Sequence, residues 1–85
     1  MILKISQFGD LLVSRPAGRE AALAALSYLI DKDVIELNLD FDGVAVLAPS
    51  WIHEFAITIK EKRPQIAIKY VPCTNPSVTE SLEFV

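Results

Sequence analysis

Along Val34–Phe41 apolar and polar positions alternate strictly. Ile35, Leu37, Leu39 and Phe41 fall on one face, while Glu36, Asn38, Asp40 and the following Asp42 fall on the other. A period of two predicts a strand with one packed face and one face turned to water or to a partner. A strand covered on both sides would read apolar throughout, so the helices are expected mainly on one face of the sheet. Ala17–Ile30 has the helical period instead. Ala22, Leu23, Leu26, Leu29 and Ile30 recur at three- and four-residue steps among helix-favouring alanines. Pro16 suits the first turn, with Ser14 or Arg15 near the cap.

A second helix is expected from Ser50 or Trp51 to Arg63, burying Ile52, Phe55, Ala56 and Ile59. Lys60, Lys62 and Arg63 lie in its last turn, where the helix dipole favours cations, and Pro64 stops it. The shorter elements complete the order. Ile2–Ser6 reads as a first strand, Phe8-Gly9-Asp10 as a turn, and Leu11-Leu12-Val13 as the returning strand of a hairpin. Val44–Leu47 reads as an apolar connector, Ile66–Val71 as a strand, and Asn75-Pro76 as the cap of a short helix holding Val78 and Leu82. The expected fold is therefore a single α/β domain of order β-β-α-β-α-β-α. Its four-stranded mixed sheet joins an antiparallel hairpin to right-handed parallel crossovers.

Composition narrows the function classes. The chain has 85 residues, which is one domain, and folding it buries only about 60% of its extended surface. That leaves little room for an enclosed active site. Lys and Arg number 8 against 11 Asp and Glu, a net charge of -3. A nucleic-acid binder that neutralises phosphates, or a surface attracted to anionic lipid, would need the opposite balance. Mean hydropathy is +0.37, but the longest apolar run, Ala21–Ile30, is broken by Ser27 and is shorter than the about 20 residues of a membrane span. No signal-peptide core precedes Asp10, and the single Cys73 suits a reducing space, so a cytoplasmic protein is expected.

Candidate chemistry is sparse. One His and one Cys exclude the usual His/Cys zinc site within the chain, and the second His of a His-Glu-x-x-His helix is replaced by Ile57. The 3 glycines, Gly9, Gly18 and Gly43, make no phosphate-cradling motif. Ser50 and His53 share a helix face but lack an orienting acid, and a capping serine beside an exposed histidine is the plainer reading. Asp40 and Asp42 point the same way on a strand end and, with Arg15, form an alternative ligand or nucleotide site; a solvated strand end is the rival reading. No cofactor is implied. Trp51 is either tucked under a loop or exposed as a contact anchor. What stands out is a loop-to-helix junction bearing Asp42, Ser50, Trp51, His53 and Glu54, the profile of a surface that docks a protein.

Two stretches add a family likeness. Leu39-Asp40-Phe41-Asp42-Gly43-Val44 followed by Ala48-Pro49-Ser50-Trp51 resembles the strand-to-helix junction of STAS domains, the fold of anti-sigma-factor antagonists. Ser14-Arg15-Pro16-Ala17-Gly18 and Leu39–Glu54 together resemble the STAS-like subgroup of uncharacterised bacterial proteins. The likeness spans nearly the whole chain in element order. It implies a non-enzymatic regulatory module that binds a histidine-kinase-like ATPase in a partner switch. In such antagonists the unmodified form binds the kinase and frees the sigma factor, and a serine at the helix start is phosphorylated. Here Ala48 and Pro49 stand where the family has aspartate and the acceptor serine, and Ser50 matches the second serine, so Ser50 is the phosphorylation candidate. Trp51 replaces a small glycine. A self-associating structural subunit is the third reading, and the oligomeric state is left open.

Overall fold

A computed structural model describes residues 1–83. Its elements are β1 (Ile2–Lys4), a 3₁₀ turn (Ile5–Phe8), β2 (Leu11–Leu12), α1 (Arg15–Tyr28), β3 (Glu36–Asp40), β4 (Val46–Leu47), α2 (Pro49–Lys62), β5 (Ala67–Tyr70) and α3 (Pro76–Leu82). The α/β class and the three helices agree with expectation. The single four-stranded mixed sheet does not. Strands β1, β3 and β5 form one parallel sheet with β3 in the centre, and β2 pairs with β4 in a second, two-stranded parallel sheet. No antiparallel pair is present among the described residues.

The expected hairpin fails at Ile5. Its side chain is fully buried, and the chain coils into the 3₁₀ turn there instead of continuing as a strand. Gly9, at φ 129°, then redirects the backbone away from β1. Leu11-Leu12 finds its partner in Val44–Leu47, which is therefore not a mere connector. Leu12 and Leu47 are both buried, with Leu11 and Val46 facing out, so the two short strands pair in register.

Strand β3 keeps its alternation. Leu37 and Leu39 are buried, as is Phe41 just beyond the strand, while Glu36 is exposed and Asn38 and Asp40 half-buried. Ile35 departs from it, at 70% exposed. It precedes the first paired residue and projects past the end of the sheet.

Helix α1 starts as expected, with the Ser14 hydroxyl accepting the Ala17 N–H and Pro16 in the first turn, and of its expected stripe Ala22 and Ile30 are buried and Leu26 packs partly against the core. Gly18, Ala21, Ala22 and Ala25 face inward, while Leu23 and Leu29 are partly exposed at the rim. Small residues win that face because α2 crosses very close. A Cβ on Gly18 would overlap the Trp51 carbonyl oxygen and stand 3.1 Å from its carbonyl carbon.

Helix α2 buries the expected Ile52, Phe55, Ala56 and Ile59, and Trp51 and Thr58 join them. Arg63 closes this helix and donates through one nitrogen to the carbonyls of Asp31, Lys32 and Val34, pinning the α1–β3 loop. Helix α3 is capped as expected, by the Asn75 side chain accepting the Ser77 N–H. One hydrophobic core unites β1, β3, the paired β2/β4 leucines and all three helices.

Candidate functional site

The close α1–α2 crossing determines what meets at the surface. Gly18 and Trp51 touch, so the residues one turn toward the N-terminus of α1 and one turn along α2 are brought together. Arg15 Nη1 lies 3.1 Å from Glu54 Oε1 and 3.1 Å from His53 Nδ1. A guanidinium has no acceptor, so in this contact the His53 Nδ1 accepts and the ring proton sits on Nε2. Arg19, one turn further along α1, reaches the other Glu54 oxygen at 3.8 Å. The Thr58 hydroxyl, at 3.5 Å, also donates to that oxygen from the buried side of α2. Glu54 is thus held from both helices, with its side chain 18% exposed against 50% for Arg15.

Ser50 does not cap α2. Ala48 occupies the cap position, without a side-chain hydrogen bond, because Pro49 already supplies a first-turn residue that has no N–H to satisfy. Ser50 therefore lies inside the first turn, half-buried, and its hydroxyl donates to the Val13 carbonyl at 3.4 Å. Among the described residues no hydrogen bond joins Ser50 to His53, whose Nδ1 is turned to Arg15. That geometry offers no nucleophile–base pair.

Trp51 is resolved in favour of burial. It is 1% exposed, stacks on Phe55 at a ring separation of 5.2 Å and meets Phe8 at 6.3 Å. It is a floor under the junction and not a contact residue of it. Its apparent displacement from the α2 stripe arose because the α1 crossing and the 3₁₀ turn widen the buried face of α2 there.

Asp40 and Asp42 are placed elsewhere. The Asp40 carboxylate accepts the Asp42 N–H at 3.0 Å, closing the turn after β3 that Gly43 continues at φ 89°. Asp42 is exposed, and among the described residues no hydrogen bond or ion pair joins either aspartate to Arg15 or to the Ser50–Glu54 group. The described residues contain no cluster of three or more His, Cys, Asp or Glu side chains that could hold a metal ion. No helix among them is long and apolar enough to cross a membrane. Cys73 is half-buried against the core, its sulfur accepting the Asn75 N–H at 3.4 Å.

Sequence reasoning missed Arg19. The signal was present, because Arg15 and Arg19 are four apart on one helix and share a face. Beside His53 an open depression of about 440 Å³ runs along the outer side of α2, lined by Ala56, Ile57, Lys60 and Glu61. The site is thus a ridge of partly exposed charge with an apolar margin, carried on two crossing helices of a small α/β domain. Compared with known proteins, the chain matches no family model, no curated protein and no solved structure.

Proposed function

We propose that this chain is a STAS-like, non-enzymatic regulatory module. It docks a partner protein, a histidine-kinase-like ATPase of the anti-sigma type, through the ridge of Arg15, Ser50, His53 and Glu54. The observation that carries the reading is the Arg15–His53–Glu54 group, held in place by mutual contacts above the sealed Trp51–Phe55 floor. Arg15 and Arg19 remain half exposed beside the more deeply set Glu54, so their guanidinium groups are accessible to a partner. Set on two rigid helices, the group suits recognition.

Ser50 is the phosphate acceptor in this reading. It lies in the first turn of α2, where added negative charge is favoured by the helix dipole, and its hydroxyl donates to the carbonyl of Val13, two residues before Arg15. The competing hydroxyls lie on α3, and like Ser50 with Val13 they bond to main chain. Ser77 and Ser81 bond to the main chain of Leu47, and Thr79 donates to Pro76.

The test is to incubate the protein with the ATPase and ATP and map the modification by mass spectrometry. Capture of the same ATPase by wild type and by a His53→Ala/Glu54→Ala variant is measured in parallel. Phosphate on Ser50 and loss of capture, with the melting temperature nearly unchanged, are expected. Phosphate confined to Ser77, Thr79 or Ser81, or full capture by the variant, would refute the reading.

A further inference from the structure

Two guanidinium groups share one carboxylate on the ridge. Among the described residues the contacts of Arg15 with Glu54 and His53 both use its Nη1, which leaves its Nε and Nη2 donors without a partner there. Arg19 Nη1 stands 3.8 Å from Glu54, beyond hydrogen-bond distance. One carboxylate offsets only one of the two positive charges. Glu54 is also the deeper group, its side chain 18% exposed against 50% for Arg15 and 47% for Arg19. The surplus charge therefore faces outward. The Nε2–H of His53, left over while Nδ1 accepts from Arg15, adds a further donor beside it.

The open depression of about 440 Å³ starts at His53, and Ala56 and Ile57 give it an apolar middle. Lys60 and Glu61 line its far end. Lys60 is committed there, its Nζ donating to the carbonyls of Pro64 and Ile66. Glu61 is exposed and makes no ion pair among the described residues. His53, Ile57 and Glu61 follow one another at four-residue steps, so they share a face of α2. Along that face the surface reads cation, apolar, acid: the two arginines, then Ile57, then Glu61.

We propose that this face binds an amphipathic helix of the partner protein whose contact residues read acid, apolar, base at one-turn spacing. The carboxylate of the acid accepts from Arg15, Arg19 and His53. The apolar side chain packs on Ala56 and Ile57, and the base meets Glu61. Anchors one turn apart are the usual way a helix is read in a groove. Charge complementarity selects this occupant. One surplus positive charge matches one carboxylate, whereas a doubly charged phosphate would leave negative charge in excess beside Glu54. A nucleic-acid strand fails for the same reason, and Glu61 opposes it again at the far end. The assignment rests on the docking reading above and specifies the chemistry that surface takes; it does not depend on phosphorylation of Ser50.

NMR titration of the whole chain tests it, with two end-blocked, alanine-based helical peptides of about 16 residues as probes. One carries Glu, Leu and Lys four apart in that order, and the other carries them reversed. With at least one of them the side-chain N–H signals of Arg15 and Arg19 and the methyl signals of Ile57 move together, at a dissociation constant of roughly 0.1–1 mM. Replacing the peptide Glu by Gln weakens binding roughly three- to fivefold, and Leu by Ala roughly tenfold. In Arg19→Gln, which removes no hydrogen bond among the described residues, the Glu-to-Gln difference shrinks. Binding of neither peptide overturns the proposal. So does equal binding of the Glu and Gln peptides, or inorganic phosphate that moves the arginine signals as far as the peptide at equal concentration. Capture of the ATPase, measured beside the titration, separates the two readings. Capture without peptide binding ends the acid–apolar–base assignment alone, and peptide binding without capture supports it while ending the choice of ATPase.

Discussion

Gly18→Ala sets two effects of opposite sign against each other. In an ordinary exposed helix interior the change stabilises by about 1 kcal/mol, because alanine has less backbone freedom to lose. Here the added methyl would meet the backbone of Trp51, 3.1 Å from its carbonyl carbon and 3.2 Å from its Cα, and overlap its carbonyl oxygen. Carbon–carbon contacts prefer about 3.5–4.0 Å, so α1 and α2 must part by roughly 0.5–1 Å. A main-chain carbonyl at a helix crossing has no rotamer by which to move aside. Overpacking of this kind costs about 3 kcal/mol at the upper end of its usual range.

The net expectation is destabilisation by about 2 kcal/mol, a fall in melting temperature of roughly 8–16 °C for a domain this size. The sole tryptophan, Trp51, is fully buried at the crossing, so its fluorescence follows the same event. Emission should shift to longer wavelength in the folded variant as the helices separate. Because Arg15 and Glu54 flank the crossing, the Arg15–Glu54 contact should loosen as well. A variant that melts at or above the wild-type temperature with unchanged emission would show that the helices do not cross this closely.

Two further predictions concern parts of the fold away from the ridge. Arg63→Ala leaves three carbonyls of the α1–β3 loop without their shared donor, which should cost about 1–2 kcal/mol and speed amide exchange in residues 31–34; unchanged exchange there would contradict the latch. The Glu36 carboxylate is held below the usual glutamate range by its hydrogen bond to Lys69, at 2.7 Å, with help from Asn38. A depressed acid adds stability that is present above the ordinary glutamate pKa and is lost as the pH falls through the folded value. An NMR titration should find the Glu36 midpoint low in wild type and moved back up in Lys69→Ala, and an identical midpoint in both proteins would remove Lys69 as the cause.

Local rules carried much of this protein. The alternation of Leu37, Leu39 and Phe41 against Glu36, Asn38 and Asp40 needed only the period of a strand. Ser14, Asn75 and the prolines beside them marked the helix starts because caps and prolines act within one turn. The Ile52–Phe55–Ile59 stripe and the grouping of Ser50, His53 and Glu54 were equally legible, whereas Arg15 was expected beside Asp40 and Asp42 and lies instead against His53 and Glu54.

Three things were decided only by long-range contacts. Pairing of β2 with β4 in place of β1 depended on residues 30 and more apart, and a two-residue strand has too little pattern to name its partner. The inward face of α1 depended on how near α2 comes: Ala22 and Ile30 were legible in the helical period, but only the helix separation turns Gly18, Ala21 and Ala25 inward and leaves Leu23 and Leu29 at the rim. Trp51 was left between anchor and core for the same reason. Its burial follows from a neighbour, Gly18, that lies 33 positions earlier in the chain and lets the helices touch.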